Sequence, residues 1–445
     1  MRDSVALARY LQRHIQPDLP TEHFDRGRWQ HVLVIPAYRE SPDLLDTLQQ
    51  LPEGAGRTLV ILVINRPDSD PDIQANQALR EALQLQLSPT TSTPLAEVST
   101  HTDLYIYDMD RMCGPNPAQL GVGLARKAGC DLALQWITEK FINTEWMCST
   151  DADATLPNDY FSTLADAPSD AVAAVFPFIH VPGEDLACNA ATALYELRLR
   201  YYVAGLSWAG SHYAYHSLGS CLTVRQDAYA MVRGFPKRAA GEDFYLLNKL
   251  AKLGPVSQLQ GNPVRLQSRR SSRVPFGTGP MVDTITTAPA PADSAIFDHP
   301  ASFEALRGLL SALPQLARIP EQRIANLLIE QQLDTQLAMQ AETALDAMGL
   351  RATLEHCVRQ GRNEAQFIRQ FNQWFDALRT LQFLHAIRDA GWPLQTRAQL
   401  EALQPVFWTG RLIQHGTEAS LPPKPAAGPR GDTDKPYRKR PPNPG

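Results

Sequence analysis

Residues 31–51 read HVLVIPAYRESPDLLDTLQQL, and this stretch decides the fold class. Its first five residues are a short, apolar, β-branched run that stops at Pro36, a residue with no backbone N–H to continue a ladder. Ser41-Pro42 then opens a helix, because serine caps a helix N-terminus well and proline suits the first helical position. Leu44, Leu45, Leu48 and Leu51 recur at helical spacing along it. A strand followed by a helix, with polar residues at the junction, is the repeating unit of an α/β sheet.

The unit repeats outward along the chain. Residues 58–64 (TLVILVI) form a second buried strand, followed by an Asp-rich loop and a helix over residues 72–86. Residues 104–107 (LYIY) give a third strand, 121–140 a long helix or loop and helix, 146–149 (WMCS) a fourth strand and 171–176 a fifth. Residues 188–206 read as a helix leading into an aromatic-rich stretch that ends at Tyr215, and 220–225 as a strand. Gly241-Glu242-Asp243 starts a helix that Gly254-Pro255 ends. Such alternation predicts a Rossmann-like α/β domain, a mostly parallel sheet flanked by helices on both faces. Ligands of such sheets sit outside the carboxyl ends of the strands.

Residues 268–300, rich in Ser, Arg, Pro, Gly and Thr, read as a long functional or mobile loop. From residue 301 onward the signal is helical only, with Phe371, Trp374, Phe375, Leu378, Leu381 and Leu384 at helical spacing. The last 25 residues contain eight prolines and too little apolar surface to order themselves. The chain therefore divides into an N-terminal helix (1–29), the α/β domain (30–280), a linker loop (281–300), an all-α C-terminal domain (301–415) and a disordered, basic, Pro-rich tail (416–445). A single core stops growing at about 250–300 residues, so more than one domain is expected at this length.

The net charge of −5 has no basic block in the main body, which argues against nucleic acid as a partner. The six cysteines are scattered without a C-x-x-C pair, so they read as free thiols in a reducing compartment. The N-terminus lacks the apolar core of a secretory signal, and no stretch approaches the ~20 apolar residues of a membrane span. A cytoplasmic, soluble protein is expected, with the basic tail offering peripheral contact to a membrane or other anionic surface.

Four features carry chemistry. Asp151-Ala152-Asp153 ends the fourth strand and offers two carboxylates to a hard cation, Mg²⁺ or Mn²⁺, whose other ligands would come from a substrate's phosphates. The same pair could simply cap the next helix. Glu242-Asp243 at a helix start suits a general base, or plain complementation of the helix dipole. Ser268-Arg269-Arg270-Ser271-Ser272-Arg273 could clamp a diphosphate or a phosphorylated acceptor, or be a solvated loop. Gly121-Val122-Gly123, ahead of Arg126, permits close backbone approach to an anion without completing a known phosphate-loop pattern. Tyr201, Tyr202, Trp208, Tyr213 and Tyr215 could stack on an acceptor or be packing, and His180, His212 and His216 read as structural or as a source of one further metal ligand.

The order of these pieces resembles glycosyltransferase family 2, whose members have the GT-A fold. The opening VLVIPAYRESPDLLDTLQQL, Asp151 and Asp153, the segment GSCLTVRQDAYAMVRGFP (219–236) and Gly241-Glu242-Asp243 carry the resemblance, which spans residues 30–275. It implies an inverting, metal-dependent hexosyltransferase that moves one sugar from a nucleotide-sugar donor to a hydroxyl acceptor. It implies that Pro36, Ala37, Tyr38, Glu40 and Arg126 bind the nucleotide sugar, that Asp151 and Asp153 hold the metal, and that Asp243 is the base with Glu242 beside it. Where the family commonly has an Asp pair after its second strand, this chain has Asn65 and Asp68 to meet the nucleobase. Where many members supply a further metal ligand, this chain has arginines, of which Arg270 and Arg273 are expected at the diphosphate. The Q-x-x-R-W motif of processive members is absent, which fits single-sugar addition. A nucleotidyltransferase is the rival activity, disfavoured by the glycine-free Pro36-Ala37-Tyr38-Arg39 after the first strand. A non-catalytic scaffold is the other rival.

Overall fold

The computed structural model describes residues 2–22, 24, 28–86, 95–271, 273 and 277–408. The tail expected over 416–445 lies outside the described residues, as does Ser272.

The strands are β1 (His31–Ala37), β2 (Thr58–Ile64), β3 (Leu95–Ser99), β4 (Thr102–Asp108), β5 (Trp146–Ser149), β6 (Ala154–Thr155), β7 (Ala173–Val175), β8 (Phe178–Val181), β9 (Leu222–Arg225), β10 (Val256–Gln258) and β11 (Val264–Gln267). Eight of them form the main sheet, in the order β10-β7-β9-β5-β1-β2-β4-β3. β3 and β9 run against the other strands, which share one direction. This is the mostly parallel α/β sheet expected from the sequence. A second sheet, β6-β11-β8, stands beside it.

The centre of the main sheet is dry. Every residue of β2 is buried, and so is all of β1 after His31. Each Val, Leu or Ile so placed contributes about 1.5–3 kcal/mol. The first-half helices are α1 (Arg2–Arg13), α2 (Leu44–Gln49), α3 (Gln77–Gln86), α4 (Met109–Cys113), α5 (Gly121–Thr138), α6 (Tyr160–Ala165), α7 (Leu186–Trp208), α8 (Gln226–Met231) and α9 (Glu242–Leu250). α5 lies on β1 and β2 and buries nearly its whole length. α1 docks through a buried polar cluster: Asp131 on α5 accepts from Tyr10 (2.6 Å), Tyr229 (2.8 Å) and Lys127 (2.7 Å).

The remaining helices are α10 (Thr278–Thr287) and α11 to α17 (Pro300–Arg318, Ile324–Glu330, Thr335–Ala347, Leu350–Gln360, Glu364–Trp374, Ala377–Asp389 and Arg397–Leu403). The helical reading after residue 300 thus meets helices. The loop reading of 268–300 needs correction, because α10 occupies part of it, including residues 281–287. Val282 and Ile285 sit three apart on one face and are buried against α7. Apolar burial on a neighbour outweighs the weak local helix propensity of a Thr- and Gly-rich segment. Among the described residues, no helix is long and apolar enough to cross a membrane.

Candidate active site

The parallel register brings several loops to one edge. β1 pairs with β2 through Ala37 and Ile64, and with β5 through Val34 and Ser149. The residues after these strands therefore leave the sheet side by side at its carboxyl edge. They line a cleft of about 740 Å³ together with the start of α9 and the segment after β11. Pro36, Tyr38, Glu40, Asn65, Arg126, Asp151, Asp153, Glu242, Asp243 and Arg273 all lie on its wall.

Arg126 organises the floor. It is almost wholly buried and its guanidinium meets four groups. Nε donates to Glu242 (2.8 Å), one Nη to Ser149 Oγ (2.6 Å) and the Gly219 carbonyl (3.1 Å), and the other Nη to Asp151. A Cβ at Gly219 would stand 2.5 Å from that guanidinium, so only glycine fits there. The remaining oxygen of Asp151 accepts from Ser220 Oγ at 2.9 Å. One buried cation thus ties the Asp151 loop to the start of α9.

Two further carboxylates carry their own arginines. Asp153 pairs with Arg269 at 2.5 Å, and Glu40 pairs with Arg273, which also donates to the Tyr38 carbonyl (2.8 Å). Burial, then Asp151, raises the Asp153 carboxyl above its ordinary range, and Arg269 opposes this. Burial, then Asp153 and Asp151, pushes Glu40 up to about 7. Its ion pair with Arg273 pulls the other way. Leu266, Gln267, Arg269, Ser271 and Arg273 line the cleft, and from Gln267 to Ser271 every second residue does so, as along an extended chain. Arg270 falls out of phase. It is not on the wall and its nearest acids are Asp185 (3.6 Å) and Asp283 (3.7 Å). The alternation running on from β11 could have picked out Arg269 from sequence.

Gly241 adopts a left-handed φ of 69° and turns the chain into α9. Glu242 points at Arg126, whereas Asp243 faces the cleft and, among the described residues, accepts only from its neighbour's amide, Phe244 N–H (2.7 Å). Burial, then Glu242, pushes the Asp243 carboxyl up to about 7, against the pull of that amide and of Arg126. A carboxylate with that value shifts protons readily near neutral pH.

At the nucleobase corner expected from sequence, Asn65 is on the wall. Its Nδ2 is engaged by the carbonyls of Ala37 (3.1 Å) and Val63 (3.3 Å), leaving Oδ1 as its acceptor. Asp68 is off the wall, accepting from Ala118 N–H at 2.8 Å. Asn116, which no sequence pattern marks, stands there instead, its Nδ2 buried and, among the described residues, without a hydrogen-bond partner. Ala37 is fully buried and off the wall, because strand alternation presents its neighbours Pro36 and Tyr38.

The aromatic stretch serves packing. Tyr201 is fully buried against Phe297, Phe303 and Trp408, and Tyr213 donates to the Asn372 carbonyl (2.6 Å). Tyr195 and Leu199, one turn apart on the opposite stripe of α7, face the cleft. His180 also lines it, with Nδ1 on Glu196 at 2.8 Å. His216 is held down to about 3 by burial and Arg200 and is therefore neutral.

A divalent cation fits this donor set through Asp153, provided that Arg269 yields and phosphate oxygens complete the shell. Asp151 has both oxygens committed to Arg126 and Ser220, so it fits as a neighbouring charge rather than a free ligand. Among the described residues, no group of three or more His, Cys, Asp or Glu side chains is arranged to hold a metal.

No family model and no curated protein sequence matches this chain. Among solved structures it is similar to residues 1–349 of TarS from S. aureus in complex with UDP-GlcNAc, at 13% identity and a TM-score of 0.36, over 78% of this chain and 90% of that one. It is also similar to the mannosyltransferase PcManGT from Pyrobaculum calidifontis in complex with GDP-Man and Mn²⁺, at 17% identity and a TM-score of 0.33, over 87% of this chain and 95% of that one. Likeness at this level leaves function to be argued from the cleft's own residues.

Proposed function

We propose that this cleft transfers one sugar from a nucleoside-diphosphate donor to a hydroxyl acceptor, with inversion at the anomeric carbon and Asp243 as general base. The observation that carries the reading is the position of Asp243. A cleft-facing carboxylate with a pKa near 7 shares one cavity with the Asp151-Asp153 loop and two arginines suited to phosphate.

Asp243 takes the proton of the acceptor hydroxyl as its oxygen forms a bond to the anomeric carbon. The bond from that carbon to the diphosphate oxygen breaks on the opposite side, and the electron pair leaves with the nucleoside diphosphate. Arg269 and Arg273 turn from Asp153 and Glu40 to the phosphates and hold the leaving charge. Mg²⁺ or Mn²⁺ at Asp153, when bound, would stabilise the same charge. Glu242 and Arg126 hold the start of α9 against the Asp151 loop. Pro36, Tyr38 and Asn65 form the nucleotide wall, and the unpartnered Asn116 Nδ2 offers a donor to a nucleobase carbonyl. The cysteines are free thiols, which suits the reducing cytoplasm in which we place this activity.

A thermal-shift panel of nucleotide sugars with and without Mn²⁺ tests the reading. A true donor at 100 times its Kd stabilises the folded protein by about 2.7 kcal/mol and raises Tm. A panel in which no nucleoside diphosphate or its sugar shifts Tm would refute it.

A further inference from the structure

The connection from α8 to α9 and one position on α9 place four cations on one exposed surface: Arg233, Lys237, Arg238 and Lys249. Among the described residues, none of the four has a salt-bridge partner. The chain as a whole carries a net charge of −5, so acidic partners are not scarce. Leaving four like charges together without counter-ions is unfavourable, and the structure builds the arrangement firmly. Arg233 sits in a left-handed turn (φ 66°), Arg238 stacks on the Tyr245 ring at 3.9 Å, and Lys249 Nζ reaches the Val232 carbonyl at 3.5 Å. Burial, then Arg233, Arg238 and the buried Lys127, holds Lys249 below the usual lysine range, as crowded cations do.

The patch is continuous with the cleft. Gly123 N–H donates to the Arg238 carbonyl (3.0 Å), and the next residues, Ala239, Ala240 and Gly241, line the cavity two positions before Asp243. None of the four cations is on the cleft wall, so a ligand held by them rests outside the cleft, at the connection that leads into it. The donor's own diphosphate is already provided for by Arg269 and Arg273, on the segment that follows β11.

We propose that Arg233, Lys237, Arg238 and Lys249 bind phosphate groups of the acceptor, so that the acceptor is a phosphorylated molecule whose anionic part rests outside the cleft while its hydroxyl enters toward Asp243. The word acceptor rests on the function proposed above; the anion site itself does not. Short-chain inorganic polyphosphate serves as the probe, followed by fluorescence anisotropy across a salt series. The variant combines Lys237→Gln, Arg238→Gln and Lys249→Gln, all exposed positions. Arg359→Gln, an exposed arginine on α14, is the control. The wild type and the control should bind polyphosphate with strong salt dependence. The triple variant should bind at least tenfold more weakly, with a shallower slope of log K against log salt by about two, while donor-induced thermal shifts stay unchanged. Equal polyphosphate binding by variant and wild type overturns the proposal. So does wild-type binding to phosphatidylglycerol vesicles, lost in the variant, with no binding to polyphosphate, which would make the patch a membrane contact. A protein that binds polyphosphate through these residues but takes no sugar nucleotide would overturn the acceptor assignment and the proposed function together.

Discussion

Arg269→Gln separates two roles that the structure gives one side chain. Arg269 pairs with Asp153 at 2.5 Å, and the two side chains are 40% and 25% exposed. A pair this open to solvent contributes no more than about 1 kcal/mol. Breaking it frees Asp153 and should tighten Mn²⁺ binding to the nucleotide-free protein by up to about fivefold, since 1.4 kcal/mol is a factor of ten. Once a nucleoside diphosphate is present, the same residue is proposed to donate to phosphate, a charge-assisted bond of about 1.5–3 kcal/mol. Its loss should weaken nucleoside-diphosphate binding by about 10- to 150-fold. Titrating Mn²⁺ by electron paramagnetic resonance, and nucleoside diphosphates by calorimetry, reads both in one variant. The reasoning fails if Mn²⁺ binds the nucleotide-free variant no more tightly than it binds wild type.

Asp243, with its carboxyl at about 7, sets the pH behaviour. It must be ionised to accept a proton, so the turnover rate should rise with pH through about 7 and level off above it. The stability sign is the reverse. Because the folded pKa is raised, the folded protein binds this proton more tightly than the unfolded chain does, and stability is lost as pH rises from about 4 to 7. Asp243→Asn should therefore be more stable than wild type at pH 8.5, by up to about 4 kcal/mol at about 1.4 kcal/mol per pKa unit, and lose that advantage at pH 4; equal unfolding curves at pH 8.5 would contradict it. Gly219→Ala forces a methyl to within 2.5 Å of the Arg126 guanidinium. It should cost about 1–3 kcal/mol in urea unfolding, and an unchanged midpoint would mean that the Arg126 network is not built as described.

Much of the fold was legible because it is local. The apolar runs of β1, β2 and β5 are read correctly since strands buried on both faces have no polar alternation to confuse them. The sequence does not announce β3, because LAEVS carries Glu97 and is held in place by antiparallel pairing with β4 rather than by its own apolar run. α10 was missed because its helix is paid for by burying Val282 and Ile285 on α7, not by propensity. In the candidate site, residue types were readable and partners were not. Nothing in Arg126 or Glu242 as letters says that they will meet across 116 positions. Arg269 and Arg270 differ only by which side of an extended chain they occupy. The commitment of Asp151 to Arg126 and Ser220 follows from where β5, α5 and the turn before β9 converge.

The central claim is that Asp243 does chemistry on a sugar nucleotide held by other residues. Its most direct test compares donor binding and donor turnover in Asp243→Asn, using calorimetry for the first and release of nucleoside diphosphate for the second. The account predicts a Kd for the donor within about twofold of wild type and a turnover rate lower by about two to four orders of magnitude. Turnover at the wild-type rate, or a donor that no longer binds, would contradict it.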